Sequence, residues 1–495
     1  MIFVIDLGTT GVRCIAYNEQ YNRRASNYIE IGHSAPQPGH FTQNLSEILE
    51  LTIQVIYKTW LDAGSPQQVT LGITNQRESI AVWDVFTGEP LSPSLNWQDM
   101  RFGKAMEEML RDGREPYVHA VTGLRLFPYF SAGKMSWVFD HVPGLREANY
   151  RDRIAMGTLD SWLIWSLTGG PDGGLHVTDV SNASRTCLMD LKTLTWSPDL
   201  LRMFEISESV LPRIVPSGDP SAYGFLRHER LPFQGQIVSV IGDQQSSLLG
   251  QSCLDMGAAK NTYGTASAIL INTQNNIHTE CSDLLSTVLY QIKGNEPLYA
   301  LEGSTGATGG LIAWLKDNLG ILSSINEASE LAASVENSGG VVMVPALSGL
   351  FAPYWDFQVR GSISGLTMHT NKAHIARAAF ESIAFQTADV LQIAKAQAGV
   401  TIREIRVDGG GARNEFLLQL QADILGIPVM QSDELDFTAQ GAAFLAGMTI
   451  GELNIDDIRT HYKLKKTFEP SWNADRREEA YHTWQKTIMH ARNGK

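Results

Sequence analysis

An α/β protein built from two related halves is predicted, on three observations. An apolar strand, a Gly/Thr turn and a second apolar strand occupy residues 2–17, and the same device recurs at 258–271. Near the midpoint, the apolar run 238–241 ends in Gly242-Asp243-Gln244-Gln245 and leads into a helix carrying Leu248 and Leu249. Residues 405–430 then read as strand, Gly-rich turn, amphipathic helix and a last strand at 427–430, which is a βαβ unit. At 495 residues the chain is too long for one hydrophobic core. We divide it at 1–243 and 244–495, with Asp243 closing the first half.

Residues 2–5 form a buried strand, 7–11 a tight turn, and 13–17 the returning strand. The turn offers successive backbone N–H groups at Gly11 and its neighbours, and the hydroxyls of Thr9 and Thr10. Asp6 stands at its mouth and Arg13 just beyond. That chemistry cradles a polyphosphate and, through Asp6, a hydrated Mg²⁺. A plain hairpin explains the glycines equally well. It explains Asp6, two threonines and Arg13 together less well. The pattern G-x-x-x-x-G-K-[ST] is missing, which excludes a P-loop enzyme.

A Pro- and His-containing stretch at 34–40 reads as a surface loop. Leu49, Ile53, Ile56 and Trp60 recur at helical spacing and place a helix over 45–63. The strand 68–73 runs into Arg77-Glu78. Adjacent opposite charges can be an ion pair of little value, or a fork that grips vicinal hydroxyls, Arg donating and Glu accepting. A strand at 80–83 and a turn at Thr87-Gly88 lead to Trp97 and then to Phe127-Pro128-Tyr129-Phe130. The following helix carries Lys134, Trp137 and Val138. Lone aromatics at such positions are more often core than ligand contacts. Another strand–helix pass opens at 155–157, and residues 168–235 are loop-rich.

Ligands of open α/β sheets gather at the carboxyl ends of the strands. Asp243 therefore faces a cleft, where it can accept a proton or hold a metal's water. It can also simply cap its helix.

In the second half, 258–262 and 268–271 flank the turn Tyr263-Gly264-Thr265-Ala266-Ser267. The repetition suggests an internal duplication that grips one nucleotide between two phosphate turns. Residues 303–310 read as a flexible loop ahead of a helix with Trp314 and Leu315. Ile375, Ala379, Ile383, Leu391 and Ala394 mark a long core helix. In the βαβ unit, Gly409-Gly410-Gly411 lets a planar base and sugar approach the backbone, and Asn414 follows. A surface helix at 474–491 closes the chain.

Net charge of −14 disfavours nucleic acid or an anionic membrane as partner, though backbone amides can still hold an anion locally. Cys14, Cys187, Cys253 and Cys281 show no metal or redox spacing, so a reduced cytoplasmic protein is expected. The amino terminus is apolar for five residues with no basic start, and reads as a strand rather than a signal peptide. No apolar run approaches membrane-spanning length.

Taken together, these stretches resemble the FGGY carbohydrate kinases over nearly the whole chain, and within them the members that phosphorylate glycerol. Matching segments include Asp6-Leu7-Gly8-Thr9-Thr10, Thr74-Asn75-Gln76-Arg77-Glu78, Asn182-Ala183-Ser184-Arg185-Thr186 and Lys260-Asn261-Thr262-Tyr263-Gly264-Thr265. Both signature patterns of the family are present, at 129–141 and 361–381. The resemblance implies two actin-like, ribonuclease-H-like domains with ATP and Mg²⁺ in the cleft between them. It implies Asp243 as general base, and Asp6 with Asp243 at the metal. Arg77, Glu78, Trp97, Tyr129, Asp243 and Gln244 would bind the polyol. Thr9, Thr10, Gly11, Arg13 and Thr265 would bind phosphates, and Gly309, Gly410, Gly411 and Asn414 the rest of the nucleotide. A homo-oligomer, dimer or tetramer, is expected.

The reaction implied is ATP-dependent phosphorylation of a small polyol, glycerol foremost. Glycerol-specific members usually carry an aromatic where this chain has Ala268, and bulkier apolar residues at 304–308. A longer polyol, or a ketose such as xylulose, is the alternative substrate. An actin-like or chaperone-like ATPase switch is the alternative of another class, but it has no use for the polyol set around Asp243.

Overall fold

The structure is a computed structural model that describes residues 1–146, 153–434 and 436–494. Each half is organised on a mixed sheet. In the first, the strands lie in the order Gln234–Gly242, Gln68–Asn75, Ile2–Leu7, Gly11–Tyr17, Arg23–Glu30. Ile2–Leu7 is buried at every position and pairs antiparallel with Gly11–Tyr17 through the Gly/Thr turn. On its other side it runs parallel to Gln68–Asn75, which runs parallel to Gln234–Gly242.

The second sheet repeats this arrangement. Ala259–Tyr263 pairs antiparallel with Ser267–Gln274 and parallel with Ile405–Asp408, which runs parallel to Val429–Ser432. Leu298–Thr305 then takes the place of Arg23–Glu30 beside the hairpin. The duplication expected from two Gly/Thr hairpins is therefore present in the topology. Leu285–Tyr290 and Leu464–Phe468 extend the second sheet at its two edges.

The helices follow their apolar spacing and caps. Leu45–Asp62 begins where Asn44 accepts from the amides of Ser46 and Glu47. Lys372–Ala398 starts at an Asn371 cap and stops at Gly399 in the left-handed region, φ 65°. The final helix is Ala474–Asn493.

One helix joins the halves. Thr438–Thr449 lies across Ile2–Leu7, Gln68–Asn75 and Gln234–Gly242, and against the helix Asp243–Gly250. Its Ala442, Ala443 and Phe444 share a buried cluster with Val4, Ile15, Leu248 and Leu270, so this core draws on both sheets. The two helices cross almost backbone to backbone. A Cβ on Gly441 would stand 1.8 Å from the carbonyl oxygen of Ser246.

Three expectations need correction. The strand leading to Asp243 begins at Gln234, four residues before the apolar run, because its edge-on start is polar and half exposed. Residues 303–310 are not one loop. Gly303, Ser304 and Thr305 complete a strand, with Ser304 opposite Ala268, and Gly309 already opens the helix Gly309–Asp317. Small and polar residues carry a turn's composition while keeping a strand's hydrogen bonds. The last strand of the βαβ unit starts at Val429 rather than 427, after Pro428, which has no N–H to donate. No helix among the described residues is long and apolar enough to cross a membrane.

Candidate active site

Strand ends create the site. Leu7, Asn75 and Gly242 stand side by side at the carboxyl ends of three parallel strands. Asp243 is the next residue and the first of its helix, with Gly242 as the cap position. Its side chain keeps 27% exposure, so it meets the cleft while its surroundings are protein. Burial pushes its carboxyl above the ordinary range. The Arg77 guanidinium, whose Nε lies 3.4 Å from Oδ1, opposes that shift, Glu78 adds to it, and Lys260 opposes it. A carboxylate whose proton affinity is raised at a strand end is suited to accept a proton from a hydroxyl.

Arg77 and Glu78 follow the adjacent strand and are both buried. Arg77 donates from Nη1 and Nη2 to the two carboxylate oxygens of Glu302, at 2.7 and 3.0 Å, and from Nη1 to Gln245 at 3.1 Å. Arg185 donates from Nε to Glu78 at 2.7 Å, and from Nη2 to the Tyr129 hydroxyl at 2.7 Å and to Glu302 at 2.9 Å. Arg77, Glu78 and Tyr129, three of the expected polyol residues, thus share one network of alternating charge with Arg185 and Glu302. Burial pushes the Glu302 carboxyl up, but Arg185 and Arg77 outweigh it and hold the group at about 2.

Arg185 and Glu302 were assigned no role from the sequence. Arg185 lies in a segment with few regular elements, just past the short helix Val180–Ala183. Glu302 stands on an apolar strand of the other half. The available signals were the family-matching segment around Arg185 and, for Glu302, a lone charge inside an apolar strand.

The first Gly/Thr turn is braced from below. Gly8 N–H donates to the Gly11 carbonyl at 2.9 Å, and the Gln43 amide to the Thr9 carbonyl at 2.7 Å. A Cβ on Gly11 would lie 2.3 Å from the Tyr28 ring. Trp97 donates from Nε1 to Thr9 Oγ1 at 2.9 Å, and its ring meets Tyr129 edge-on, centroids 6.3 Å apart. The indole therefore ties the turn to the Tyr129 end. Thr10 is exposed. Arg13 pairs with Asp6 at 3.7 Å and with Asp436 of the second half. Burial raises Asp6 to about 6, with Arg13 opposing and Asp243 adding to the rise.

Across the cleft, Thr265 is gripped by the start of a helix. The amides of Thr308 and Gly310 donate to its carbonyl at 2.9 and 3.0 Å, and Gly309 N–H to Gly264 at 3.0 Å. Gly410 faces open space, whereas Gly411 packs on Tyr263. Asn414 caps the helix Glu415–Leu425 through Leu417 N–H and donates to Ser329 at 2.7 Å. Gln244 accepts from Lys260 Nζ, which also donates to Thr262 at 2.7 Å.

Comparison with known proteins decides the family. Residues 1–250 match the N-terminal domain of the FGGY family of carbohydrate kinases, and residues 259–450 match its C-terminal domain. The chain belongs to that family. It is 42% identical to a glycerol kinase of Leifsonia xyli subsp. xyli, over 98% of this chain and 96% of that protein. A glycerol kinase of Saccharopolyspora erythraea is likewise 42% identical, covering 98% of each. Among solved structures, a Plasmodium falciparum glycerol kinase with ADP superposes with a TM-score of 0.92 at 32% identity, over 99% of this chain and 98% of that one. A xylulose kinase from Rhodospirillum rubrum, 21% identical, shares the fold at a TM-score of 0.85, over 99% and 98% of the two chains. Membership of a kinase family, with relatives named glycerol kinase, favours a kinase over a nucleotide switch.

Proposed function

We propose that this FGGY kinase transfers the γ-phosphoryl group of ATP to a hydroxyl of glycerol. The observation that carries the reading is the placement of Asp243, raised in proton affinity and opening a helix beside Arg77. The acceptor hydroxyl gives its proton to Asp243 as its oxygen attacks. Arg77, Glu78, Trp97, Tyr129 and Gln244 orient the polyol, with Arg185 and Glu302 holding the first two and Tyr129. Thr9, Thr10, Gly11, Arg13 and Thr265 take the phosphates, and Gly309, Gly410, Gly411 and Asn414 border the rest of the nucleotide. Polyol and first phosphate turn lie within 1–243, the nucleotide turns within 244–495.

Mg²⁺ fits the donor set. Among the described residues no three His, Cys, Asp or Glu side chains gather around one point. Mg²⁺ is held by one or two carboxylates, waters and substrate phosphates rather than by a protein cage. Asp6 and Asp243 are such a pair, and their mutual repulsion is what a divalent cation relieves. The ion supplies charge neutralisation to the transferring phosphoryl group.

The test is ADP release by the purified protein with ATP and Mg²⁺, with and without glycerol. Glycerol-dependent release is expected; release indifferent to every polyol offered overturns the reading. A longer polyol or ketose is favoured by one observation, the half-buried methyl of Ala268 opposite Thr262 and Ser304. Burying an aromatic side chain is worth about 1.5–3 kcal/mol, and about 1.4 kcal/mol is tenfold. If Ala268 leaves the pocket wider, Ala268→Phe raises kcat/KM for glycerol over erythritol, xylitol and xylulose by roughly ten- to hundredfold. An unchanged ranking leaves glycerol as the substrate.

A further inference from the structure

Lys134 lies in the first turns of the helix Ser131–His141 and is 1% exposed. Burial drives its ammonium down to about 7, with Glu78 and Asp99 opposing. A charge kept in such a place needs partners. Its Nζ donates to two main-chain carbonyls, those of Tyr129 and, at 3.4 Å, Glu78. The Ser131 hydroxyl donates to the same Glu78 carbonyl at 3.1 Å.

Glu78 is unusual in its own right. Its φ is +61°, in the left-handed region, and Ser79 N–H donates back to the Arg77 carbonyl at 2.7 Å. That bond closes a three-residue γ-turn. The turn sends Arg77 and Glu78 into one network, where the next residue of an extended strand would point away. Such a backbone persists only where its surroundings over-determine it. Nearby donors to the Glu78 carbonyl are Ser131 and Lys134, and Lys134 also fixes Tyr129, the third member of the polyol set.

We propose that Lys134 is the positioning residue of the polyol site: it clamps the carbonyls of Glu78 and Tyr129 and so holds the Arg77–Ser79 turn and the tyrosine in register. Lys134 touches no reacting atom and acts through these two residues. The inference rests on the polyol-kinase reading for its kinetic consequence, but not for its structural one.

The test uses Lys134→Met, Lys134→Gln and Ser131→Ala in the full chain, each checked for its melting temperature. Amide hydrogen exchange over 77–80 needs no activity. Exchange at Ser79 is expected to quicken at least tenfold in Lys134→Met and less in Lys134→Gln, whose amide still donates. In the coupled assay, Lys134→Met should raise the polyol KM at least tenfold while the ATP KM changes less than twofold. Lys134→Gln should recover most of that loss, and Ser131→Ala should shift the polyol KM in the same direction. If Lys134→Met fails to fold, Lys134→Gln and Ser131→Ala carry the same readouts. Unchanged exchange at Ser79, or equal losses for both substrates, overturns the proposal. A wild-type protein without polyol-dependent ADP release would instead fail the kinase reading and leave the exchange result to stand.

Discussion

Asp243 gathers opposing influences on one carboxyl. Burial and Glu78 favour its proton, while Arg77 and Lys260 favour its charge, and burial prevails. As the proposed base it acts only when ionised, so kcat/KM should rise with pH and reach its half-point above the ordinary carboxylate range. Asp243→Asn keeps the shape and removes the acceptor. It should fold like the wild type, lose roughly 10²–10⁴ in kcat, and lose the acidic limb of the pH profile. Turnover close to wild type in that variant would take Asp243 out of the mechanism. This residue was legible in the sequence because strand, glycine, aspartate and helix follow one another directly. Arg185 and Glu302 were not, because their partners are remote. Arg185 binds Glu78 across 107 positions and Arg77 binds Glu302 across 225. No periodicity reports a pair so far apart.

At the scale of elements, the helix carrying Asp243 is placed by another helix at glycine contact. Gly250 of the first meets the carbonyl of Phe437, and Gly441 of the second meets that of Ser246. In an open helix, alanine in place of glycine gains about 0.5–1 kcal/mol. Here the added methyl has backbone on the other side, which cannot rotate away. Overpacking of this kind costs about 1–3 kcal/mol. Gly441→Ala should therefore lower the urea midpoint despite its better helix propensity, and should lower kcat as the helix shifts with Asp243. A variant more stable than the wild type would show that the crossing has room to open. The hairpins, the amphipathic helices and the βαβ unit were readable because their signals are local: apolar period and turn glycine. This crossing was not, since Gly250 and Gly441 carry no mark of each other. The strand ending at Thr305 was missed for a related reason. Its Gly-Ser-Thr composition reads as a turn, whereas pairing with Ser267 and Ala268 makes it a strand.

Across the whole molecule, Glu302 is where the second half enters the proposed polyol site of the first. Its carboxylate is 1% exposed by residue and is claimed by Arg77 and Arg185, both from the other half. Removing one partner from a buried ion pair leaves charge without compensation and costs about 3–5 kcal/mol. Two guanidinium groups are left here, so Glu302→Gln belongs at the upper end of that range. The pH dependence has a definite sign. The folded carboxyl is held at about 2 against an ordinary value of 4.5, so its contribution is complete above 4.5 and disappears as pH falls through about 2. The stability gap between wild type and Glu302→Gln should then be constant from neutral pH down to about 5 and narrow below it. Arg77 and Arg185 would also lose the anchor that aims them, so the polyol KM should rise more than the ATP KM. Urea unfolding at a series of pH values and initial rates at pH 7.5 measure both. A gap that widens toward acid, or a variant as stable as the wild type at neutral pH, would mean that Glu302 does not hold the two halves together at the substrate.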